Sequence, residues 1–320
     1  MGLGAIGQEI ARAALRSEEL ELIGAVDSNP KLAGRALSTV LGVDMTPVKI
    51  QSSLAAAAQK RRGAVVLHAT GSKLPEVKKQ VLEAIGLGLH VVSTCEELAF
   101  PWLHHADDAD AIDAAAQKHG VSVVGTGVNP GFVLDRLIAM LGQVCGEVRH
   151  VKATRVVDAR TRREALQRKV GAGLTEDEFF ALVDGDGLGH VGLVESAALA
   201  ALGLGLDCDD FEEELRPVFA EEDITGGAFP VKRGRVAGIH QVATALTEGR
   251  EVVRLELTIA VGADEPGDTI ELEGNPPLRV HIPGGIQGDQ ATANLVIHAA
   301  PRVTAAGNGL LTVLDLPAGR

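Results

Sequence analysis

The chain contains no tyrosine and one tryptophan, Trp102, so mechanisms that need a Tyr general acid are excluded, that of short-chain dehydrogenases included. Only three cysteines occur, Cys95, Cys145 and Cys208, with no CxxC spacing. A disulfide framework or a zinc knuckle needs more than that, and three reduced thiols fit a cytoplasmic setting. Basic charge is in deficit: 30 Lys+Arg face 43 Asp+Glu, a formal charge of −13. Such a chain has no electrostatic footprint for nucleic acid or an anionic membrane, and neither is expected as a partner. Long apolar runs are missing as well. The stretch from Leu193 to Leu206 is interrupted by Glu195 and is too short to span a bilayer. Glu9 and Arg12 break the N-terminal segment before the apolar region of a secretory leader can develop. What is present is 320 residues, 46% hydrophobic and 23% charged, enough for two domains with their own cores.

The first half alternates short apolar runs with helical patterns. Leu20–Val26, Val48–Ile50, Ala64–Ala69, Leu89–Ser93 and Val121–Val124 read as strands, several of them continuous β-branched runs suited to burial on both faces. Helical patterns fall at Ser53–Arg61, Pro75–Leu87 and Trp102–His119. This alternation predicts an α/β fold, a Rossmann-type doubly wound parallel sheet. After about residue 145 the pattern changes to a second, α+β domain. Arg149–Val157 reads as a strand, Glu164–Arg168, Thr175–Val183 and the apolar Gly192–Leu204 as helices. Arg235–Leu246 and Val252–Val261 form a hairpin around Thr247–Arg250, and a last helix, Asp289–Ala299, is expected to stop at Pro301.

The chain opens Gly2-Leu3-Gly4-Ala5-Ile6-Gly7, a GxGxxG loop running into the helical pattern Gln8–Leu15. The first glycine permits a tight turn, the second lets backbone approach a pyrophosphate, and the third allows close helix–strand packing. The motif alone is weak. Its second half is Asp27, twenty residues after Gly7 at the end of Leu20–Val26, where an acid meets the adenosine ribose hydroxyls. Asp27 repels a 2′-phosphate, which favours NAD over NADP, while Ser28 and Lys31 soften that preference and leave dual use open. The fingerprint ordinarily follows a strand, yet only Met1 precedes Gly2. The first strand is therefore expected to be truncated, with about five to eight residues upstream and a distorted or unpaired N-terminus here.

Ligands of open α/β sheets gather at the carboxyl ends of the strands. Those ends read Ala69-Thr70-Gly71-Ser72, Ser93-Thr94-Cys95-Glu96-Glu97 and Gly125-Thr126-Gly127-Val128-Asn129-Pro130-Gly131-Phe132. Thr70, Gly71, Ser93, Thr94, Asn129 and Pro130 are the cofactor candidates there. Glu96 and Glu97 are adjacent carboxylates just past a buried strand, a poor arrangement for stability and a good one for proton exchange. Either could instead be a plain helix N-terminal acid, Glu97 more readily. Cys95 reads as a packing residue. The Asn129–Phe132 stretch resembles the Asn-Pro-Gly-Cys of phosphorylating semialdehyde dehydrogenases with Phe132 in the thiol's place, which argues against acyl-thioester chemistry. His104 and His105 do not share a helix face, so no two-His metal site is expected. His190 and His240 lie in the second domain, where each could face the cleft or simply pack.

With these motifs assembled, the sequence resembles the 2,4-diaminopentanoate dehydrogenase and native amine dehydrogenase family, which has the dihydrodipicolinate reductase-like fold. The resemblance rests on an ordered set: GLGAIG, VVSTCEEL (91–98), GTGVNPGF (125–132), KVGAGLTEDEF (169–179), GHVGLVESAAL (189–199), VAGIHQ (236–241), GDQATANLVIHAAPRV (288–303) and GLLTVLDLP (309–317). It implies a dinucleotide-binding domain of residues 1–130 and 290–320, with the chain returning to it at the end. An α+β domain of 131–289 would shape the substrate pocket and build a homodimer. It implies that Glu96 is catalytic, taking a proton from the substrate ammonium before hydride leaves for the nicotinamide, and that no metal is needed. Glu97, Phe132, Arg155 and His190 are the substrate-side candidates. Arg155, Arg162, Arg163 and Lys169 are possible partners for a substrate carboxylate. The expected partners are a primary amine, or a ketone plus ammonia.

True dihydrodipicolinate reductase has a His-His pair and a Lys…Pro-Ser-Gly-Thr loop; no PSGT occurs here, and His104-His105 stand in another context. That enzyme, or another oxo- or hydroxy-acid dehydrogenase, is the first alternative. A non-catalytic dinucleotide-binding sensor is the alternative of another class.

Overall fold

A computed structural model describes every residue except Thr46, Gln59, Lys60, Asp186 and Arg320. The chain divides into two compact units, Met1–Phe132 with Gln287–Arg320, and Val133–Ile286. In the first unit the order is α1 (Ala5–Arg16), β1 (Ala25–Val26), α2 (Leu37–Leu41), β2 (Ile50–Gln51), α3 (Leu54–Ala58), β3 (Val65–His68), α4 (Leu74–Gly86), β4 (His90–Ser93), α5 (Ala106–His119) and β5 (Ser122–Gly125). The second unit holds α6 (Arg136–Gly142), β6 (Val148–Asp158), α7 (Glu164–Lys169), α8 (Glu176–Val183), α9 (Leu193–Leu204), β7 (Asp210–Phe219), β8 (Val236–Thr247), β9 (Arg250–Ala260), β10 (Gly267–Gly274) and β11 (Leu278–Pro283). The chain then returns to the first unit with α10 (Gly288–Ala305) and β12 (Gly309–Leu311).

The first unit carries parallel strands in the order β12-β5-β4-β3, and a separate parallel pair, β1-β2. Every residue of β4 and β5 is buried, because α4 and α5 cover one face and α10 the other. Apolar residues on both faces are what that layering requires. Between β3 and β1 runs the start of the chain. The Met1 ammonium donates to Leu67 O (2.7 Å), Ala69 N–H to Met1 O (2.9 Å) and Gly2 N–H to Val26 O (2.9 Å). Met1 and Gly2 thus sit in line with a parallel strand. Beside them lies an apolar cavity of about 260 Å³, lined among others by Leu3, Ile10, Leu22, Val26, Val66 and Leu89. Burial lowers the Met1 amine to a pKa of about 6, since water cannot solvate its charge there.

This slot explains one correction. Leu20–Val26 does not form a full strand: only Ala25 and Val26 pair, with Ile50 and Gln51. A second correction concerns α10, which continues through Pro301 to Ala305. Proline removes one helical hydrogen bond, but Ala299, Ala300 and Val303 are buried around it, so packing outweighs the local penalty.

The second unit is a six-stranded sheet in the order β11-β10-β6-β9-β8-β7, antiparallel except for β6 beside β9. Its hairpin turns at Glu248 and Gly249, both with positive φ (52° and 73°), the geometry that suits the right-handed twist of the flanking strands. α9 packs on β8 and β9, and its first nine residues are all buried. That explains why Gly192–Leu204 is apolar all round.

Candidate active site

The glycine loop is built as its spacing predicts. Gly2 has φ +82°, and a Cβ there would stand 2.3 Å from Ala69 O. A Cβ on Gly7 would stand 1.8 Å from Gly2 O, so α1 can approach the loop only with glycine at that position. At Gly4, the N-cap of α1, a Cβ would meet nothing within 4 Å, and no side chain caps the helix. The first turn, including Ala5 and Ile6, contains no acid. Two glycines required by packing and a third beside open space form the cradle a pyrophosphate needs at a helix N-terminus. The Asp27 carboxylate follows β1 and braces the loop, accepting Leu3 N–H through Oδ2 and Asn29 N–H through Oδ1, both at 2.7 Å. Each oxygen keeps a further lone pair for a ribose hydroxyl. Ser28 is exposed beside it. These residues fit a dinucleotide.

At the ends of β3 and β4 the two loops are laced together. The Thr94 N–H donates to His68 O (2.9 Å), Glu97 N–H to Ser72 O (3.3 Å) and the Cys95 thiol to Ser72 O (3.1 Å). Burial pushes the Cys95 thiol up to about 12, so it is a packed, protonated thiol and no nucleophile. Gly71 lies half-buried beside this lacing, and Thr70 is exposed with its hydroxyl on Gln80 Oε1 at 3.0 Å. Ser93 is fully buried, its hydroxyl committed to His68 Nδ1 (2.8 Å) and Cys95 N–H (3.0 Å). That hydroxyl therefore serves contacts inside the protein. In the third loop Gly131 has φ +125°, and a Cβ there would meet Gly127 N at 2.4 Å. Asn129 and Pro130 are buried, Phe132 is half-buried, and Val128 N–H donates to Thr292 Oγ1 of α10 (3.1 Å).

The two adjacent glutamates separate. Glu97 Oε2 accepts Leu74 N–H at the start of α4 (2.6 Å) and lies 3.0 Å from His105 Nε2. It is the helix N-terminal acid, favoured there by the helix dipole, and leaves the substrate-side set. Glu96 is half-buried at the head of the short 3₁₀ turn Glu97–Ala99.

Within the second unit Arg155 is 5% exposed. Its Nη1 donates to both Asp268 oxygens at 2.8 Å and its Nη2 to Ile286 O at 2.5 Å. That fork is already matched to a carboxylate, so Arg155 also leaves the substrate-side set. The His190 backbone is held at both ends by one side chain, with His190 N–H donating to Gln241 Oε1 and Gln241 Nε2 donating to His190 O, each 2.8 Å. Gln241 also donates to Glu213 Oε1 (2.8 Å), a carboxyl raised by burial. The clamp joins two of the sequence motifs, but nothing in either spacing marks it. His240 stands instead on Thr258 Oγ1 (3.0 Å). Among the described residues no group of three His, Cys, Asp or Glu could hold a metal.

Fold and glycine cradle together define a two-domain, nicotinamide-dependent dehydrogenase. A model of the 2,4-diaminopentanoate dehydrogenase C-terminal domain matches residues 132–320, and the chain belongs to that family. The 2,4-diaminopentanoate dehydrogenase of Acetoanaerobium sticklandii is 28% identical over 334 residues, covering 100% of this chain and 93% of that protein. The solved amine dehydrogenase of Mycobacterium smegmatis superposes with a TM-score of 0.86 at 23% identity, covering 100% of this chain and 95% of that one, a likeness of fold. A 4-hydroxy-tetrahydrodipicolinate reductase of a Cyanothece species is 34% identical over 93 residues, 28% of this chain and 33% of that protein.

Proposed function

We propose that the chain catalyses oxidative deamination of a primary amine, a small amine or one like 2,4-diaminopentanoate, and the reverse reductive amination of a ketone with ammonia. The observation that supports this is the separation of the glutamate pair: the Glu97 carboxylate is engaged by Leu74 N–H at the start of α4 and by His105, which favours Glu96 for the acid–base role. A nicotinamide bound over the strand ends supplies the hydride acceptor. Glu96 as carboxylate takes a proton from the substrate ammonium, making the nitrogen lone pair available as the C–H bond is lost. In the other direction the same carboxyl gives a proton to the departing hydroxyl of the carbinolamine. One group serves as base one way and acid the other. Asp27, one carboxylate at the ribose position, favours NAD over NADP by charge. The same reading carries a homodimer in the cytoplasm.

The test is consumption of NADH and NADPH with a panel of small ketones and 2-amino-4-oxopentanoate, with and without ammonium at alkaline pH. The reading expects oxidation that requires ammonium and is faster with NADH. Oxidation of equal rate without ammonium overturns the amine chemistry and leaves a carbonyl reductase.

A further inference from the structure

His68 is the last residue of β3 and is 1% exposed, an unusual place for an imidazole inside a parallel sheet. Burial, with the nearby Met1 ammonium, holds its pKa at about 4, so the ring is neutral under ordinary conditions. Its Nε2 lies 2.8 Å from Thr70 Oγ1 and 3.2 Å from Gln80 Oε1, while Thr70 itself donates to Gln80 Oε1 at 3.0 Å. Gln80 Oε1 only accepts, so the proton sits on Nε2 and Nδ1 is the acceptor. The Ser93 hydroxyl therefore donates to Nδ1 (2.8 Å) and accepts the Cys95 N–H (3.0 Å). The His68 carbonyl takes the next amide, Thr94 N–H, at 2.9 Å. One residue thus fixes two successive amides of the turn that leads to Glu96. The contacts of this chain fit one direction of donation, with Nε2–H shared between Thr70 Oγ1 and Gln80 Oε1.

We propose that His68 is a positioning residue: acting through Ser93, it sets the Ser93–Glu96 turn and with it the aim of the Glu96 carboxyl. The proposal rests on the reading of Glu96 as the acid–base group. An apolar residue at 68 would leave the Ser93 hydroxyl without its acceptor in a buried place, and the turn would shift to find another. Misplacing a reacting group by about 1 Å costs on the order of 10²-fold in rate.

The experiment compares His68→Leu, His68→Asn and Ser93→Ala in the full chain. Asn places an amide oxygen where Nδ1 stands and keeps the acceptor for Ser93; Leu does not. Three quantities are read: kcat and KM for the amine, the NADH dissociation constant, and the iodoacetamide alkylation rate of each cysteine by peptide mapping. His68→Leu and Ser93→Ala are expected to lower kcat by roughly 10- to 100-fold, with NADH affinity nearly unchanged. Alkylation of Cys95 rises in both while Cys145 and Cys208 keep their rates, and His68→Asn restores kcat and shields Cys95. If His68→Leu does not fold, Ser93→Ala and His68→Asn decide. A Ser93→Ala protein with unchanged kcat and a shielded Cys95 overturns the proposal. So does an Asn variant no better than Leu, or a parallel rise at all three thiols. The thiol readout does not involve amine turnover, so it reports on the turn even if the proposed reaction proves to be another.

Discussion

The two sides of the first unit's sheet are held by different means. On the β3–β4–β5–β12 side, continuous parallel pairing is reinforced at the strand ends by side chains: His68 on Ser93, Glu97 on α4, and Thr292 on the Asn129 loop. On the β1–β2 side, two-residue strands are linked to β3 through backbone hydrogen bonds of Met1 and Gly2, with an apolar cavity behind them. The glycine loop is braced by Asp27 and by close backbone contact rather than by a full neighbouring strand. The side assigned to acid–base chemistry is therefore fixed by side-chain hydrogen bonds at its strand ends, and the side assigned to the dinucleotide by Asp27 and close backbone contact.

The largest expected effect closes that difference. Five residues alternating valine and isoleucine with smaller apolar residues, fused ahead of Met1, would pair with β1 and β3 and fill the 260 Å³ cavity. A higher urea denaturation midpoint is expected from this extension, and a Gly-Ser extension of the same length should give none of the gain. Equal behaviour of the two extensions would mean that the slot does not accept a strand.

The next effect asks whether the second unit, with its unbroken sheet, depends on its own buried polar pair. Arg155→Ala leaves Asp268 charged and buried, at a cost of about 3–5 kcal/mol. Replacing both, Arg155→Met with Asp268→Leu, should recover most of it. An Arg155→Ala variant that loses only amine KM and no stability would return Arg155 to the substrate pocket.

The smallest is a pH effect confined to the well-laced side. His68 titrates at about 4 in the folded chain against 6.5 unfolded. Below 6.5 the unfolded chain binds the extra proton, so stability is lost as pH falls from 6.5 and levels off below about 4. The full loss from this group is about 3 kcal/mol. His68→Asn should flatten that part of the stability curve, and an unchanged curve would place its origin elsewhere.

The glycine loop, its acid partner and the strand-end loops were legible because each depends on local spacing: Gly2, Gly4 and Gly7 before a helix, Asp27 after a run of apolar residues. What was not legible depends on partners far along the chain. Leu20–Gly24 has the composition of a strand, yet β1 is Ala25–Val26, paired with Ile50 and Gln51. β7 was missed because Glu212, Glu213 and Glu214 hide its alternation, and its place comes from pairing with β8. Arg155 looked like a substrate anchor until Asp268, 113 residues away, was seen to hold it. His68 lies inside the run Ala64–Ala69, which reads only as a strand; the role proposed for it needs Ser93 and Gln80, which no spacing rule links to it.

The central claim is that Glu96 moves the proton. The most direct measurement is single-turnover reduction of NAD by the amine in Glu96→Gln, beside the NADH dissociation constant of the same variant. The account predicts a rate lower by about 10²- to 10⁴-fold with NADH affinity unchanged. A variant that turns over at the rate of the unaltered chain would contradict it.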